Sequence, residues 1–102
     1  MAAAEIFRAL GDPIRLEIVQ RLTRSSRRTI SAISEGLGVT RQGARKHLQV
    51  LADARIVALQ PDGRDVLVSL EPETLDQAKL FIAEIERRWD SRLEVLRRFV
   101  EE

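Results

Sequence analysis

The C-terminal segment of the sequence constrains the fold of this chain more than any other feature. From residue 73 to residue 100, apolar side chains recur at spacings of three and four, which predicts one long amphipathic helix. The apolar side chains of this stripe are Leu75, Ala78, Ile82, Ile85, Trp89, Leu93, Leu96 and Val100. Such a helix is about 40 Å long, whereas a 100-residue globule has a radius of gyration of about 13 Å. We therefore expect much of the stripe to overhang its own core and a second copy of the chain to cover it; the alternative is that the first helix of the same chain covers it.

Length and composition point to an ordinary folded protein. The chain has 102 residues, of which 44% are hydrophobic and 32% are charged. We expect a single domain over residues 1–102 rather than a disordered tail. No apolar run approaches the roughly 20 residues of a membrane span, and the N-terminus lacks the pattern of a signal peptide. A cytoplasmic location without membrane contact is therefore expected.

Charge is divided unevenly along the chain. Residues 1–60 carry ten bases and five acids, whereas residues 61–102 carry seven bases and eleven acids. A basic half joined to an acidic half predicts one surface that faces a polyanion and a separate surface with another role. The alternative is that these charges simply scatter over a solvated surface.

Capping signals predict two helices at the start of the chain. The first covers residues 2–10 and ends at Gly11, a typical C-terminal glycine. The second covers residues 13–23 and begins with Asp12 as N-cap and Pro13 in the first turn.

Two further helices are predicted after a polar connection at residues 25–28. The third helix has Thr29 or Ser31 as its cap, and the fourth has Thr40 as its cap and runs to about Asp53. The core side chains expected on the third helix are Ile30, Ile33 and Leu37.

The residue pattern then changes to short β-rich runs. Residues 56–60 and 65–70 are joined by residues 61–64, whose Pro, Asp and Gly favour a turn. A hairpin is therefore predicted directly after the fourth helix, and Pro72 fits the first turn of the final helix.

The third and fourth helices match a helix-turn-helix. Gly38 and Val39 form the tight turn, and Ala44 and Leu48 pack the fourth helix back on the third. Since a hairpin follows, we predict a winged helix-turn-helix, mainly α with a small β-hairpin and a long C-terminal dimerisation helix. Its predicted parts are a helix-turn-helix over residues 30–54, a wing over residues 55–71 and a dimerisation helix over residues 72–102.

Two motifs carry a resemblance to a known family. The stretch ALGDPIRL at residues 9–16 resembles the ALGDPTRL signature of the ArsR/SmtB family of bacterial winged-helix transcriptional regulators, and KHLQVL at residues 46–51 resembles its HLKVL recognition-helix signature. The likeness covers nearly the whole chain. It implies a homodimer, formed by the first and last helices over residues 1–11 and 72–102, that binds an inverted-repeat operator in double-stranded DNA and represses transcription.

Metal-sensing members of that family carry ligands that this chain lacks. They place a Cys-x-Cys type set on the third helix, where residues 31–34 read SAIS, and a His/Asp/Glu set on the last helix, which has no histidine here. The pattern WDSRL at residues 89–93 resembles members without metal sites. With no cysteine and one histidine, we expect neither a metal site nor a cofactor. A small apolar effector between the last helices, a regulatory partner protein, or no effector all fit the sequence.

The fourth helix carries side chains suited to DNA reading. Arg and Lys read guanine and Gln reads adenine in the major groove; the alternative for these cations is a solvated face. The predicted DNA contacts are Thr40, Arg41, Gln42, Gly43, Arg45 and Lys46, with Arg64 at the hairpin tip; weaker candidates for phosphate contacts are Arg27, Arg28 and Arg55. Gly43 costs the helix roughly 1 kcal/mol and would let the backbone approach base edges; the alternative is an irregularity without function.

The remaining candidates concern packing. The predicted dimer interface consists of Ile6, Phe7, Leu75, Ile82, Ile85, Trp89, Leu93 and Leu96. We expect His47 to be a packed, hydrogen-bonded residue rather than a ligand or a general base.

A sequence-specific dimeric repressor is therefore the leading hypothesis. The alternative is a winged-helix protein-interaction module without DNA binding, which would not need cations along the fourth helix. No catalytic triad, carboxylate pair or Gly-rich phosphate loop is visible in the sequence, so we do not expect an enzyme.

Overall fold

The computed structural model describes residues 3–25 and 27–101. Its helices are α1 (Ala3–Leu10), α2 (Pro13–Arg24), α3 (Ile30–Ser34), α4 (Arg41–Asp53) and α5 (Pro72–Glu101), and its strands are β1 (Arg27–Thr29), β2 (Val57–Asp62) and β3 (Asp65–Leu70). The predicted mainly helical fold with a small β-hairpin and a long last helix is confirmed. Within the described ranges, no helix combines the length and apolar character that crossing a membrane requires.

The helix starts follow the predicted caps. Asp12 accepts hydrogen bonds from the backbone N–H groups of Ile14 at 2.8 Å and Arg15 at 3.2 Å. Of the two caps proposed for α3, the threonine is used, since Thr29 Oγ1 accepts from the N–H of Ala32 at 3.1 Å. These side chains satisfy N–H groups that have no partner inside the helix.

α3 is shorter than predicted. It ends at Ser34 instead of reaching Gly38. Gly36 and Gly38 adopt φ values of 74° and 77°, a left-handed conformation that ends a helix and that glycine adopts without steric cost. Leu37 lies beyond the helix but is only 7% exposed, so it still belongs to the core.

The connection expected at residues 25–28 is partly a strand. β1 pairs antiparallel with β3, with Arg27 opposite Ser69 and Thr29 opposite Leu67. The sheet therefore has three strands in the order β1-β3-β2. Three residues rich in arginine carry no strand signal of their own, and β1 forms because the edge of β3 offers free backbone groups.

The predicted hairpin is present, but its strands are longer than expected. Pro61 and Asp62 belong to β2 and pair with Val66 and Asp65 of β3. The loop is therefore shortened to Gly63 and Arg64, with Gly63 at a φ of 60°. Two-residue hairpin loops favour glycine because their turns need positive φ.

The core lies where the helices α1 to α4 and the start of α5 meet the sheet. Its largest fully buried side chains are Ile6, Ile18, Leu22, Ile33, Leu48, Leu51, Ile56 and Val68. Leu48 and Leu51 belong to α4, so the opposite face of that helix points to solvent.

Most of α5 extends beyond this core. Ala78 is its last buried residue, and the longest dimension of the molecule is 68 Å against 25 and 22 Å for the other two. The radius of gyration is 18.1 Å, well above the value of about 13 Å for a compact chain of this length. The overhang is therefore confirmed. The alternative, in which α1 covers the stripe, does not hold, because Ile85 is 52% and Trp89 58% exposed.

Candidate nucleic-acid interface

α4 separates its side chains onto two faces. Ala44, Leu48 and Leu51 are fully buried. The exposed side chains are Arg41, Gln42, Arg45, Lys46, Gln49, Val50 and Asp53. Gln49, which donates to Asp53 at 2.8 Å, is absent from the predicted contacts although it follows Arg45 by one helical turn. The predicted DNA-reading side chains thus share the solvent-facing side of one helix.

The start of α4 explains the position of its glycine. Thr40 Oγ1 accepts a hydrogen bond from the N–H of Gly43 at 3.0 Å. A Cβ atom on residue 43 would lie 3.2 Å from Thr40 Oγ1 and 3.6 Å from Val39 Cβ. Gly43 therefore leaves room for the cap, which is a structural role that the sequence alone did not indicate.

α4 and the hairpin border a common cleft. Its volume is about 250 Å³. The cleft is lined by Ile30, Arg45, Leu48, Gln49, Leu59, Pro61 and Val66. Arg64 is exposed in the hairpin loop. The fold therefore places Arg45 beside the hairpin whose tip carries Arg64.

Arg41 has a partner within the chain. Its guanidinium donates to Ser31 Oγ at the start of α3. Hydrogen bonding by the Ser31 hydroxyl is the main cause that lowers the pKa of Asp65, helped by the Val66 N–H and by the positive charge of Arg41. Arg41 thus connects the start of α4, through Ser31, to the first residue of β3 after the hairpin loop. Ser31 and Asp65 were not predicted as site residues, because only the pairing of β1 with β3 brings them together.

The three weaker phosphate candidates lie in different surroundings. Arg27 is exposed and Arg28 half-buried on the edge strand β1. Arg55 borders a surface pocket together with Glu71 and Glu73 at the start of α5. The neighbouring carboxylates make Arg55 the least favourable phosphate contact of the three.

Arg55 also closes the end of α4. Its N–H donates to the carbonyl of Ala52 and the N–H of Ile56 donates to that of Leu51, both at 2.9 Å. This is a Schellman motif, in which the residue after the C-cap adopts the left-handed conformation. Arg55 has a φ of 59°, where glycine is the usual residue.

His47 is packed and hydrogen-bonded, as predicted. Its side chain is 23% exposed, and its Nδ1 atom lies 3.2 Å from a guanidinium nitrogen of Arg15 and 3.9 Å from Asp12 Oδ1. The pKa of Asp12 is lowered, mainly by the hydrogen bond from the Arg15 N–H and also by the Ile14 N–H and His47. Among the described residues, no group of three or more His, Asp or Glu side chains is arranged to hold a metal ion.

The predicted interface residues fall into two groups. The exposed ones are Phe7, Ile82, Ile85, Trp89, Leu93 and Leu96. Ile6 requires a correction, because it is fully buried and stabilises its own chain. Leu75 is partly buried against the same core, and its place at the interface stays a prediction. Phe81 is not among the predicted residues but is also exposed; it precedes Ile85 by four residues, and its ring lies 5.6 Å from that of Phe7.

Comparisons with known proteins decide the family. A family model described as a helix-turn-helix domain matches residues 10–60, half of the chain. The HTH-type transcriptional repressor SmtB of Mycobacterium tuberculosis is 38% identical over 69 residues, which are 68% of this chain and 50% of that protein. The crystal structure of an ArsR family transcriptional regulator has a TM-score of 0.80 at 27% identity, with 86% of this chain and 90% of that chain covered. The chain belongs to the ArsR/SmtB family.

A further solved structure agrees with the ArsR/SmtB assignment. The structure of an ArsR-like transcriptional regulator from Rhodococcus sp. RHA1 has a TM-score of 0.79 at 29% identity. The superposition covers 95% of this chain and 91% of that chain. The chain spans about half the length of the curated SmtB relatives that it matches. The ArsR/SmtB proteins found are named as transcriptional repressors or regulators, in agreement with the expectation that this chain is not an enzyme.

Proposed function

We propose that residues 1–102 act as one DNA-binding domain of a homodimeric, sequence-specific transcriptional repressor in the cytoplasm. One observation carries the proposal: the exposed arginine and lysine side chains of α4 lie on the face opposite its buried side chains, and Arg45 borders the same cleft as the hairpin. A convex basic helix beside a hairpin that carries Arg64 in its loop suits the major groove of duplex DNA. The relative named SmtB is itself described as a repressor.

Within this proposal, some residues of α4 contact the DNA bases and others contact the DNA phosphates. Arg45 and Lys46 have the donors that read guanine, and Gln42 has the amide that reads adenine. The hydroxyl oxygen of Thr40 accepts from Gly43, so its own proton stays available for a phosphate at the helix start. Arg64 at the tip of the hairpin would bind a phosphate or enter the minor groove.

Recognition of an inverted repeat needs a second α4 helix, which a homodimer would supply. The exposed stripe of α5, continued by Phe7 of α1, offers apolar surface that a second copy would cover. A twofold dimer places two α4 helices against half-sites about 34 Å apart, which corresponds to an inverted-repeat operator.

The test is a fluorescence anisotropy titration with a chelator present. The purified protein is titrated against a duplex from upstream of its own gene and against a shuffled duplex, at two salt concentrations. We expect a preference of about 10³ or more for the native duplex and affinity that falls steeply as salt rises. Binding to neither duplex would overturn the proposal and favour the protein-interaction module.

A pair of variants assigns the reading to α4. Replacing Arg45 with Ala should weaken operator binding by about 1 to 3 kcal/mol if its guanidinium contacts a guanine. Arg98→Ala is the matched control, because Arg98 is exposed on the overhang of α5 and pairs with Glu94 at 3.8 Å. Equal affinity of the two variants would remove Arg45 from the contacts.

A further inference from the structure

One guanidinium connects three helices behind the proposed reading surface. Arg15, in the first turn of α2, is partly buried. Its Nε donates to the carbonyl of Ala9, its Nη2 to the carbonyl of Arg8 at 3.4 Å, and its Nη1 to Nδ1 of His47 at 3.2 Å. Arg8 and Ala9 form the end of α1, and His47 belongs to α4. A single side chain of α2 therefore connects the end of α1 to the basic helix.

The three hydrogen bonds depend on the shape of the guanidinium. The last carbonyl groups of a helix have no partner within it, and Arg15 donates to two of them in α1. The carbonyl of Arg8 also accepts from the N–H of Gly11 at 3.1 Å. A guanidinium is planar and holds its donors in a rigid fork, whereas a lysine presents a single ammonium on a flexible stem. By contacting two carbonyls and one ring nitrogen at once, the guanidinium restrains the angle between α1 and α4. A lysine at the same position would carry the same charge without this restraint.

The same contacts define the tautomer of His47. A guanidinium has only donors, so in the neutral ring Nδ1 of His47 accepts and the ring proton lies on Nε2. Asp12 does not compete for this nitrogen, because its Oδ1 atom is 3.9 Å away and accepts from the N–H groups of Ile14 and Arg15. His47 is the only histidine in the sequence, so its ring can be observed without ambiguity.

α1 in turn packs against α5. Ile6 and Ala9 are buried in the core, and the ring of Phe7 lies 5.6 Å from that of Phe81. We propose that Arg15 is a positioning residue. It fixes the orientation of α4 relative to α1 and α5, and operator binding requires this orientation, although Arg15 does not contact DNA itself. The DNA-binding part of this inference rests on the proposed function, whereas the link between the helices does not.

The link is tested first without DNA, by ¹⁵N NMR of the His47 imidazole. In the wild-type protein we expect the Nε2–H tautomer, and in Arg15→Ala and Arg15→Lys a changed tautomer balance. Arg8→Ala is the matched control, because it removes a nearby cation but keeps the carbonyl that Arg15 binds. A wild-type Nδ1–H tautomer, or an unchanged signal in Arg15→Lys, would overturn the proposal. The lysine variant keeps the charge and the aliphatic stem, so it tests the link even if the alanine variant fails to fold.

The second test measures operator affinity as a function of salt. Arg15→Ala and Arg15→Lys should each lose about tenfold in affinity, the effect of one hydrogen bond to a charged group, with an unchanged salt slope because no phosphate contact is lost. His47→Ala should show a similar loss, and the Arg15→Ala/His47→Ala double variant should lose no more than either single variant. A salt slope reduced by about one, or a lysine variant that binds like wild type, would make Arg15 a phosphate contact and refute the positioning role. If the wild-type protein shows no operator preference, the proposed function fails while the NMR result still decides the link.

Discussion

At the scale of single residues, Arg55 is the clearest case of a strained position. It adopts a φ of 59° after α4, a conformation that costs an L-residue roughly 1 to 2 kcal/mol and glycine little. We expect Arg55→Gly to raise the free energy of unfolding by about 1 kcal/mol, measured by urea unfolding at one protein concentration. The operator titration of the same variant shows whether Arg55 also binds a phosphate, because the salt slope would then fall by about one. A less stable variant would contradict the strain argument.

Asp12 makes the stability of the fold depend on pH. Its pKa is lowered from 3.8 in the folded chain, so the folded state binds the proton less readily than the unfolded state does. The stabilisation is therefore fully present above about pH 4 and is lost as the pH falls through the lowered value. We expect Asp12→Asn, which keeps a capping oxygen, to be less stable than wild type near pH 7 and to approach it below pH 4 in urea unfolding. A stability difference that does not change with pH would refute this.

At the scale of one element, α4 carries a glycine that serves its cap. Alanine at position 43 would gain roughly 1 kcal/mol of helix propensity, and this gain is reduced because the new Cβ atom would lie 3.2 Å from Thr40 Oγ1. We expect Gly43→Ala to change the free energy of unfolding by less than about 1 kcal/mol and to weaken operator binding about tenfold if the helix backbone approaches base edges. Unchanged operator affinity in the folded variant would restrict Gly43 to the cap.

At the scale of the whole molecule, the overhang of α5 predicts self-association. Leu93→Glu places a charge in the exposed stripe, and we expect it to convert a dimer to a monomer in light scattering at micromolar concentration and to weaken operator binding. Leu80→Glu is the matched control: Leu80 is 70% exposed but precedes Ile82 by two residues and so points to the other side of the helix. Trp89, the only tryptophan, should shift its emission to the blue as the wild-type protein dimerises. A wild-type monomer at these concentrations would contradict the dimer.

Local patterns in the sequence determined most of the elements. The Asp12–Pro13 start of α2, the Thr40 cap of α4 and the periodic stripe of α5 depend on side chains close together along the chain, so their spacing is readable without tertiary structure. The exposure of the arginine and lysine side chains of α4 was predictable for the same reason, because helical periodicity assigns each residue to a face.

Only the tertiary structure decided the contacts between residues far apart along the chain. β1 exists because the edge of β3 receives it, and the length of α3 depends on two glycines that take left-handed angles. Ile6 packs inward although the sequence placed it at the interface, and Arg15 meets His47 across 32 positions of the chain. Periodicity shows which side of an element is apolar, but the surface that covers it depends on how distant segments meet in the fold.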